Sequence, residues 1–400
     1  MRNHVLYTFL SWLSISINVS AKVSVEHTAP EICPWDPTIQ GLRTPACASP
    51  ELLRKLVQPL PTQWKGPEKC VNGTCVFSNA VQNGGISLIT SPQHAHIIQS
   101  FAVHADGGAY PPPYYVETIS GKGIGLRANR SIERGEVLMV RGATLVAQTE
   151  PLVELEVGVR DMLYGFAVAQ LPKDRRDAFM GQMGRDIHDK INTNSFEIFV
   201  HGADDKGARH LGTYPDVAKF NHDCRPNVHY RIAETTMTAV AARDILEGEE
   251  LTVSYADIFL PSKKRKERIR SWGFECACAL CQGPKNETIA SDMRLRRIEQ
   301  LKNDLNNFQE MKVTAETGAE YAALHEAEGL HAHLGSAYTR AALNFALFGD
   351  EERSREYALK AAEELVIEKG PGSADAQAMR GLAENPRAHW TWGKRRMLEK

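Results

Sequence analysis

The sequence predicts a mostly β domain broken by a helical insert, with a loop-rich extension before it and an α-helical domain after it. Three observations predict this. Short strand-like runs recur between Tyr114 and Ser254, separated by Gly, Asn and Asp. Between about 150 and 190, Leu152, Leu155, Val157, Met162, Leu163, Phe166, Ala167 and Leu171 fall at helical spacing. After Cys281 the pattern is strongly helical to the last residue.

The elements follow in order. Residues 1–21 read as a secretory signal peptide: Arg2, an uncharged and mostly apolar stretch from Val5 to Val19, then small residues at Val19 and Ala21. Cleavage there implies a lumenal or secreted protein; without it, the cytoplasm or nucleus is the alternative. Residues 22–113 read as a loop-rich extension with one strand at Gly85–Ile89, and Pro111-Pro112-Pro113 as a stiff linker. Cys33, Cys47, Cys70 and Cys75 suggest two disulfides of undetermined pairing. Asn72-Gly73-Thr74 and Asn286-Glu287-Thr288 are glycosylation acceptors, and Asn129-Arg130-Ser131 is a third expected to stay unused. His94 and His96 read as a surface strand.

The domain at 114–260 opens with strands Tyr114–Ile119 and Gly125–Ala128 around the turn Gly121-Lys122-Gly123. Its insert, about 150–190, includes a second helical stretch from Asp174 to Ile187. Strand signals return at Ser195–Val200, Asn227–Ile232, Thr236–Ala241 and Glu250–Ser254, with His229 as a strand residue. Lys263-Lys264-Arg265-Lys266, continuing to Arg268 and Arg270, reads as a solvated helix face, with an import signal or an acidic-substrate patch as alternatives.

Composition excludes little but helps. The chain has 400 residues, 42% of them hydrophobic and 24% charged, which is ordinary for globular proteins. A formal net charge of -2 offers no electrostatic reason for direct nucleic-acid binding. No later segment is apolar enough for a membrane span. No Gly-x-Ser-x-Gly elbow, phosphate-binding lysine loop or His-Glu-x-x-His motif is present.

Five pieces stand in order: Gly121-Lys122-Gly123-Ile124-Gly125-Leu126; Asn194-Ser195-Phe196; Phe220-Asn221-His222-Asp223-Cys224-Arg225-Pro226-Asn227; Gly248-Glu249-Glu250-Leu251-Thr252-Val253-Ser254-Tyr255; and Trp272-Gly273-Phe274-Glu275-Cys276-Ala277-Cys278-Ala279-Leu280-Cys281. The set resembles the SET-domain methyltransferases, in particular fungal SET proteins related to the SET–MYND branch. The likeness is strong over about 115–283 and loose beyond. The ending Asn385-Pro386-Arg387-Ala388-His389-Trp390-Thr391-Trp392-Gly393-Lys394-Arg395 also looks like that fungal group. No MYND cysteine/histidine cluster lies between the first Gly turn and Asn194, so partner binding through that finger is not carried over.

The resemblance implies a SET fold of small sheets around a pseudoknot. It also implies a zinc-closed post-SET segment at 261–283 and a helical domain at 284–400. There Leu334-Gly335, Tyr338 and the stretch from Gly349-Asp350 to Leu365 partly resemble one tetratricopeptide repeat. It implies S-adenosylmethionine held by Lys122, Gly123, Ile124, Gly125, Asn194, Asn221, His222 and Phe274, with His222 contributing mainly backbone contacts. Tyr255 is the implied catalytic-site tyrosine, and Trp272 and Phe274 line the implied lysine channel. Ile124 and Trp272 stand where many relatives carry a polar residue and a tyrosine.

The chemistry suits these residue types. Methyl transfer is an in-line displacement by a neutral amine, and an aromatic channel disfavours the ammonium by desolvation. Cys224 with Cys276, Cys278 and Cys281 supplies four sulfurs, the donor set of structural zinc; disulfides or free thiols are the alternative. The expected function is a protein-lysine N-methyltransferase acting on a protein or peptide. The rivals are a catalytically silent SET-fold scaffold of the secretory pathway and a small-molecule amine N-methyltransferase.

Overall fold

The computed structural model describes residues 64–102, 106–200 and 206–395. The signal segment, Cys33 and Cys47 lie outside the described residues.

The chain from Lys65 to Ser100 departs from the loop-rich expectation. Strands β1 (Lys65–Val71) and β2 (Thr74–Asn79) form a hairpin, followed by β3 (Ile86–Thr90) and helix α1 (Pro92–Ser100). The hairpin signal was Asn72-Gly73: both take positive φ, 48° and 78°, as a two-residue primed turn requires. Cys70 and Cys75 close it as a disulfide. The histidines expected on a strand sit on α1, because Ser91 accepts from His94 N at 3.2 Å and Pro92 occupies the first helical position. His94 is buried against the His210 ring.

Next come β4 (Tyr114–Ile119), β5 (Gly123–Ala128), β6 (Val137–Gly142) and β7 (Leu145–Gln148). The insert holds α2 (Thr149–Glu154), α3 (Val157–Ala169), α4 (Lys173–Met180) and α5 (Ile187–Asn194). The stretch expected to be helical from Asp174 to Ile187 breaks after Met180. Gly184, at φ 128°, lies where a Cβ would meet Lys190 N at 2.7 Å, and Asp186 then caps α5 by accepting from Asp189 N at 2.8 Å. Strands β8 (Ser195–Phe199), β9 (Arg209–Thr213), β10 (Asn221–His222), β11 (Val228–Ala233), β12 (Thr236–Ala241) and β13 (Glu250–Val253) complete the β part.

Among the described residues three sheets result: β1-β2-β3-β7-β9-β8, β10-β13-β5-β4 and β11-β12-β6. The parallel pairing of β3 with β7 ties the N-terminal hairpin into the larger sheet. Leu88, Leu126, Leu138, Val146, Phe220 and Leu251 form part of a shared core, each at most 1% exposed. The Pro linker is tied down too, since Asn129 donates to Pro112 O and Pro113 O, both at 3.0 Å.

The basic run forms α6 (Ser262–Arg270) and the cysteine loop contains the short α7 (Ala279–Gln282). Helices α8 (Lys285–Asn306), α9 (Thr317–Ala327), α10 (Leu334–Phe348), α11 (Glu351–Lys369) and α12 (Ala374–Glu384) follow, around an Ala- and Leu-rich core. This helical region joins the β part through polar contacts at its carbonyls. His229 on β11 bonds Glu368 O at 2.9 Å, and Arg231 donates to Ile367 O at 3.0 Å, satisfying the last turn of α11.

Candidate active site

The site is built where β10 meets β13. The two strands run parallel, with Asn221 beside Thr252 and His222 beside Val253, and Asp223 N donates to Val253 O at 3.0 Å. Two-residue β10 is too short to hold itself. Asn227 braces its partner β13: its Oδ1 accepts from Thr252 N at 2.9 Å and its Nδ2 donates to Glu250 O at 2.8 Å. A buried side chain thus satisfies backbone groups that a neighbouring strand would otherwise pair.

This clamp sets Tyr255 just past β13. Its hydroxyl donates to Phe220 O at 2.7 Å, and its backbone N donates to His222 Nδ1 at 3.1 Å. Burial, reinforced by the Glu250 charge, pushes the phenol pKa up to about 12, so at neutral pH it is a hydrogen-bond donor. Because Nδ1 of His222 accepts, a neutral imidazole carries its proton on Nε2, which lies 3.4 Å from Cys224 Sγ. The resemblance implies mainly backbone contacts from His222 to the adenine; its side chain, in addition, bridges the tyrosine and the cysteine cluster.

Aromatic rings surround the phenol. Trp272 lies 5.6 Å and His222 5.5 Å from the Tyr255 ring, and Phe274 stands edge-on at 6.3 Å. The Trp272 indole donates to Thr193 O at 3.3 Å, tying the post-α6 segment to the end of α5. Phe274 is 38% exposed and Ile124 56% exposed, so both leave apolar surface open to a ligand.

The β4–β5 turn closes the other wall. Glu250 receives Lys122 Nζ at 2.5 Å and Asn221 Nδ2 at 3.0 Å. A Cβ on Gly125 would lie 2.4 Å from Ile119 Cδ1 and 2.6 Å from Asn221 Nδ2, so any larger residue would push both side-chain ends aside. Of the expected site residues, Lys122, Gly125, Asn221, His222, Tyr255, Trp272 and Phe274 are linked by these contacts. Gly123 and Ile124 lie on the same β5 strand as Gly125. Asn194 ends α5 next to Thr193, and its Nδ2 is committed to Met183 O and Lys190 O at 2.8 and 2.7 Å. Glu250, the hub of the wall, was missed as a functional residue. The signal was a carboxylate opening a strand whose next three residues are buried.

Behind the rings, the sulfurs of Cys224, Cys276, Cys278 and Cys281 lie within 4.8 Å of one another. Cys224 is 3.9 Å from Cys276 and 3.7 Å from Cys281, and all four are free of disulfides. A tetrahedral zinc with Zn–S bonds of about 2.3 Å needs sulfurs about 3.8 Å apart. Donor set and spacing therefore fit a closed structural site, with no position left for a reacting ligand. Without a cation the thiols ionise unequally. Hydrogen bonding with Cys224 is the leading influence on both, holding Cys276 above the usual thiol value and Cys278 below it.

Comparison with known proteins agrees with this geometry. The SET domain family model matches residues 123–256, so the chain contains a SET domain with a β-sheet core and a helical C-terminal region. Human N-lysine methyltransferase SMYD2 is 38% identical over 108 residues, which are 26% of this chain and 24% of that protein. Xenopus laevis N-lysine methyltransferase SMYD2-B is 33% identical over 108 residues, with the same coverage. Human histone-lysine N-methyltransferase SMYD3 is 30% identical over 124 residues, 31% of this chain and 28% of that one. The chain thus matches only about a quarter of the length of these curated relatives.

Proposed function

We propose that this chain is an S-adenosylmethionine-dependent protein-lysine N-methyltransferase of a SET branch lacking the MYND finger. The observation that carries it is the phenol of Tyr255, buried and held by Phe220 O inside the rings of His222, Trp272 and Phe274. Similarity to the lysine methyltransferases over the SET segment supports the same reading.

Bound S-adenosylmethionine supplies an electrophilic methyl on a sulfonium. Lys122, Gly123, Ile124, Gly125, Asn194, Asn221, His222 and Phe274 would hold it. The glycine approach at Gly125 and the open faces of Phe274 and Ile124 fit such a molecule, one part polar and one part a flat ring. The rings of Trp272 and Phe274 desolvate the lysine and so favour its neutral amine. The neutral amine would take that methyl by in-line displacement, and the proton shed by nitrogen would go to water. Tyr255 stays protonated at neutral pH, its hydroxyl held by Phe220 O beside the rings of Trp272 and Phe274.

Tyr255→Phe tests this. Calorimetry should show S-adenosylmethionine still bound, while methylation of a lysine peptide library falls about 100-fold. Full transfer by the variant would count against the assignment. No cofactor binding by folded, zinc-loaded wild type would favour the scaffold reading, and turnover of free amines but no peptide would favour the small-molecule one.

We also propose passage through the secretory pathway. The Cys70–Cys75 disulfide and the exposed Asn72 acceptor at the tip of its hairpin support that reading. A mobility shift on deglycosylation, lost in Asn72→Gln, is the expected result; no shift in secreted material would refute glycosylation there.

A further inference from the structure

Helix α6 carries Lys263, Lys264, Arg265, Lys266, Arg268 and Arg270 against one acid, Glu267. Arg265 and Ile269 are fully buried and define its inward face. Lys264 and Arg268 stand one turn apart on another face, and the same four-residue step reaches Trp272. The Arg268 guanidinium lies 5.4 Å from the Trp272 ring, and that ring lies 5.6 Å from Tyr255. A cationic stripe therefore runs along the helix and ends on the wall of the proposed lysine channel.

The ordinary explanation is a solvated helix face stabilised by its own ion pairs. Two observations oppose it. Several surface cations elsewhere are neutralised, as Arg127 is by Glu117, Arg209 by Glu197 and Arg297 by Glu320, whereas others such as Arg296 and Arg380 have no ion-pair partner among the described residues. On α6, among the described residues, only Arg270 has an ion-pair partner, Glu275 at 3.1 Å. Helix polarity explains the rest no better. Arg268 and Arg270 in the last turn are favourable, but Lys263 and Lys264 fall in the first turn, where positive charge opposes the helix dipole and no acid offsets it. Cations kept where they cost stability, exposed and leading to an active-site ring, are what an anionic partner would use.

We infer that the substrate is an acidic peptide segment, its target lysine flanked by Asp or Glu that lie along Lys264 and Arg268. The inference rests on the methyltransferase reading. Lys266 and Arg270 line a separate cleft with Glu275, Cys276, Cys281 and Gln282. The stripe accordingly reduces to the two residues aligned with Trp272.

The test uses the full chain loaded with zinc and three lysine peptides differing only in their flanks: Asp/Glu, the isosteric Asn/Gln, and Lys/Arg. At low salt the acidic peptide should show a kcat/KM about 10-fold above the neutral one, with the basic peptide lowest. Half-molar salt should erase most of that difference. The double variant Lys264→Glu, Arg268→Glu should invert the order while retaining its melting temperature and zinc. Equal turnover of all three peptides overturns this inference and leaves the methyltransferase reading standing; no transfer to any peptide overturns that reading itself. A single-stranded oligonucleotide bound by wild type and not by the double variant, with uniform peptide turnover, would assign the stripe to nucleic acid instead.

Discussion

Replacing Glu328 with glutamine should uncouple the cysteine loop from the helical region. Glu328 follows α9 and its side chain is 1% exposed. It accepts from Ser291 Oγ and Arg225 Nη2, and from Arg294 Nε at 2.6 Å, while its backbone carbonyl takes Arg225 Nε at 2.7 Å. Arg225 adjoins Cys224 and also donates to the carbonyls of Cys224 and Ile258. Glutamine keeps the volume, removes the charge and turns an acceptor into a donor facing a guanidinium. Breaking a buried pair costs about 3–5 kcal/mol, and the low end applies because Arg294 is 33% exposed. We expect about 3 kcal/mol less stability in urea unfolding followed by circular dichroism, with faster zinc loss to a chelator. The pH dependence follows from the sign of the shift. Burial acts to raise the Glu328 pKa, but the bonds from Ser291 and Arg225 outweigh it and hold it below the usual carboxylate value. A carboxylate depressed on folding stabilises above its unfolded pKa, and that stabilisation is lost as pH falls through the folded value. The gap between wild type and variant should therefore close at acid pH. A loss under about 1 kcal/mol at pH 7, or a gap that persists in acid, would refute the reasoning.

Three further outcomes can be checked. Gly125→Ala should fold normally yet weaken S-adenosylmethionine binding about 10-fold by calorimetry, because its Cβ intrudes on Ile119 and Asn221; an unchanged Kd would remove the close approach from the argument. Cys276→Ser should drop zinc from about one ion per chain to a trace by atomic absorption and abolish methyl transfer, since a structural site needs all four sulfurs. Cys75→Ser should cost about 2 kcal/mol of stability, the loop entropy of cysteines five positions apart, read as a lower urea midpoint for the oxidised protein.

What the sequence could reveal was local chemistry and short-range periodicity. Strands β4, β5, β8, β11, β12 and β13 were legible because alternation and turn residues lie within a few positions of one another. The four zinc-type cysteines were legible because three share one loop and the fourth sits in a dense motif. Tyr255 was legible as the end of such a motif. Where a local signal was misread, the cause was equally local. Asn72-Gly73 forms a hairpin turn besides opening a glycosylation acceptor, and Ser91-Pro92 starts a helix where a strand is expected.

Long-range partnership was decided only by the tertiary structure. The parallel pairing of β3 with β7, the strand-like role of Asn227 beside β13, the gathering of Lys122 and Asn221 on Glu250, and the Arg225–Glu328 pair across 103 positions have no periodic trace. Each arises because a buried polar group must find a partner wherever folding brings one within reach, and that choice depends on the whole core rather than on neighbouring residues.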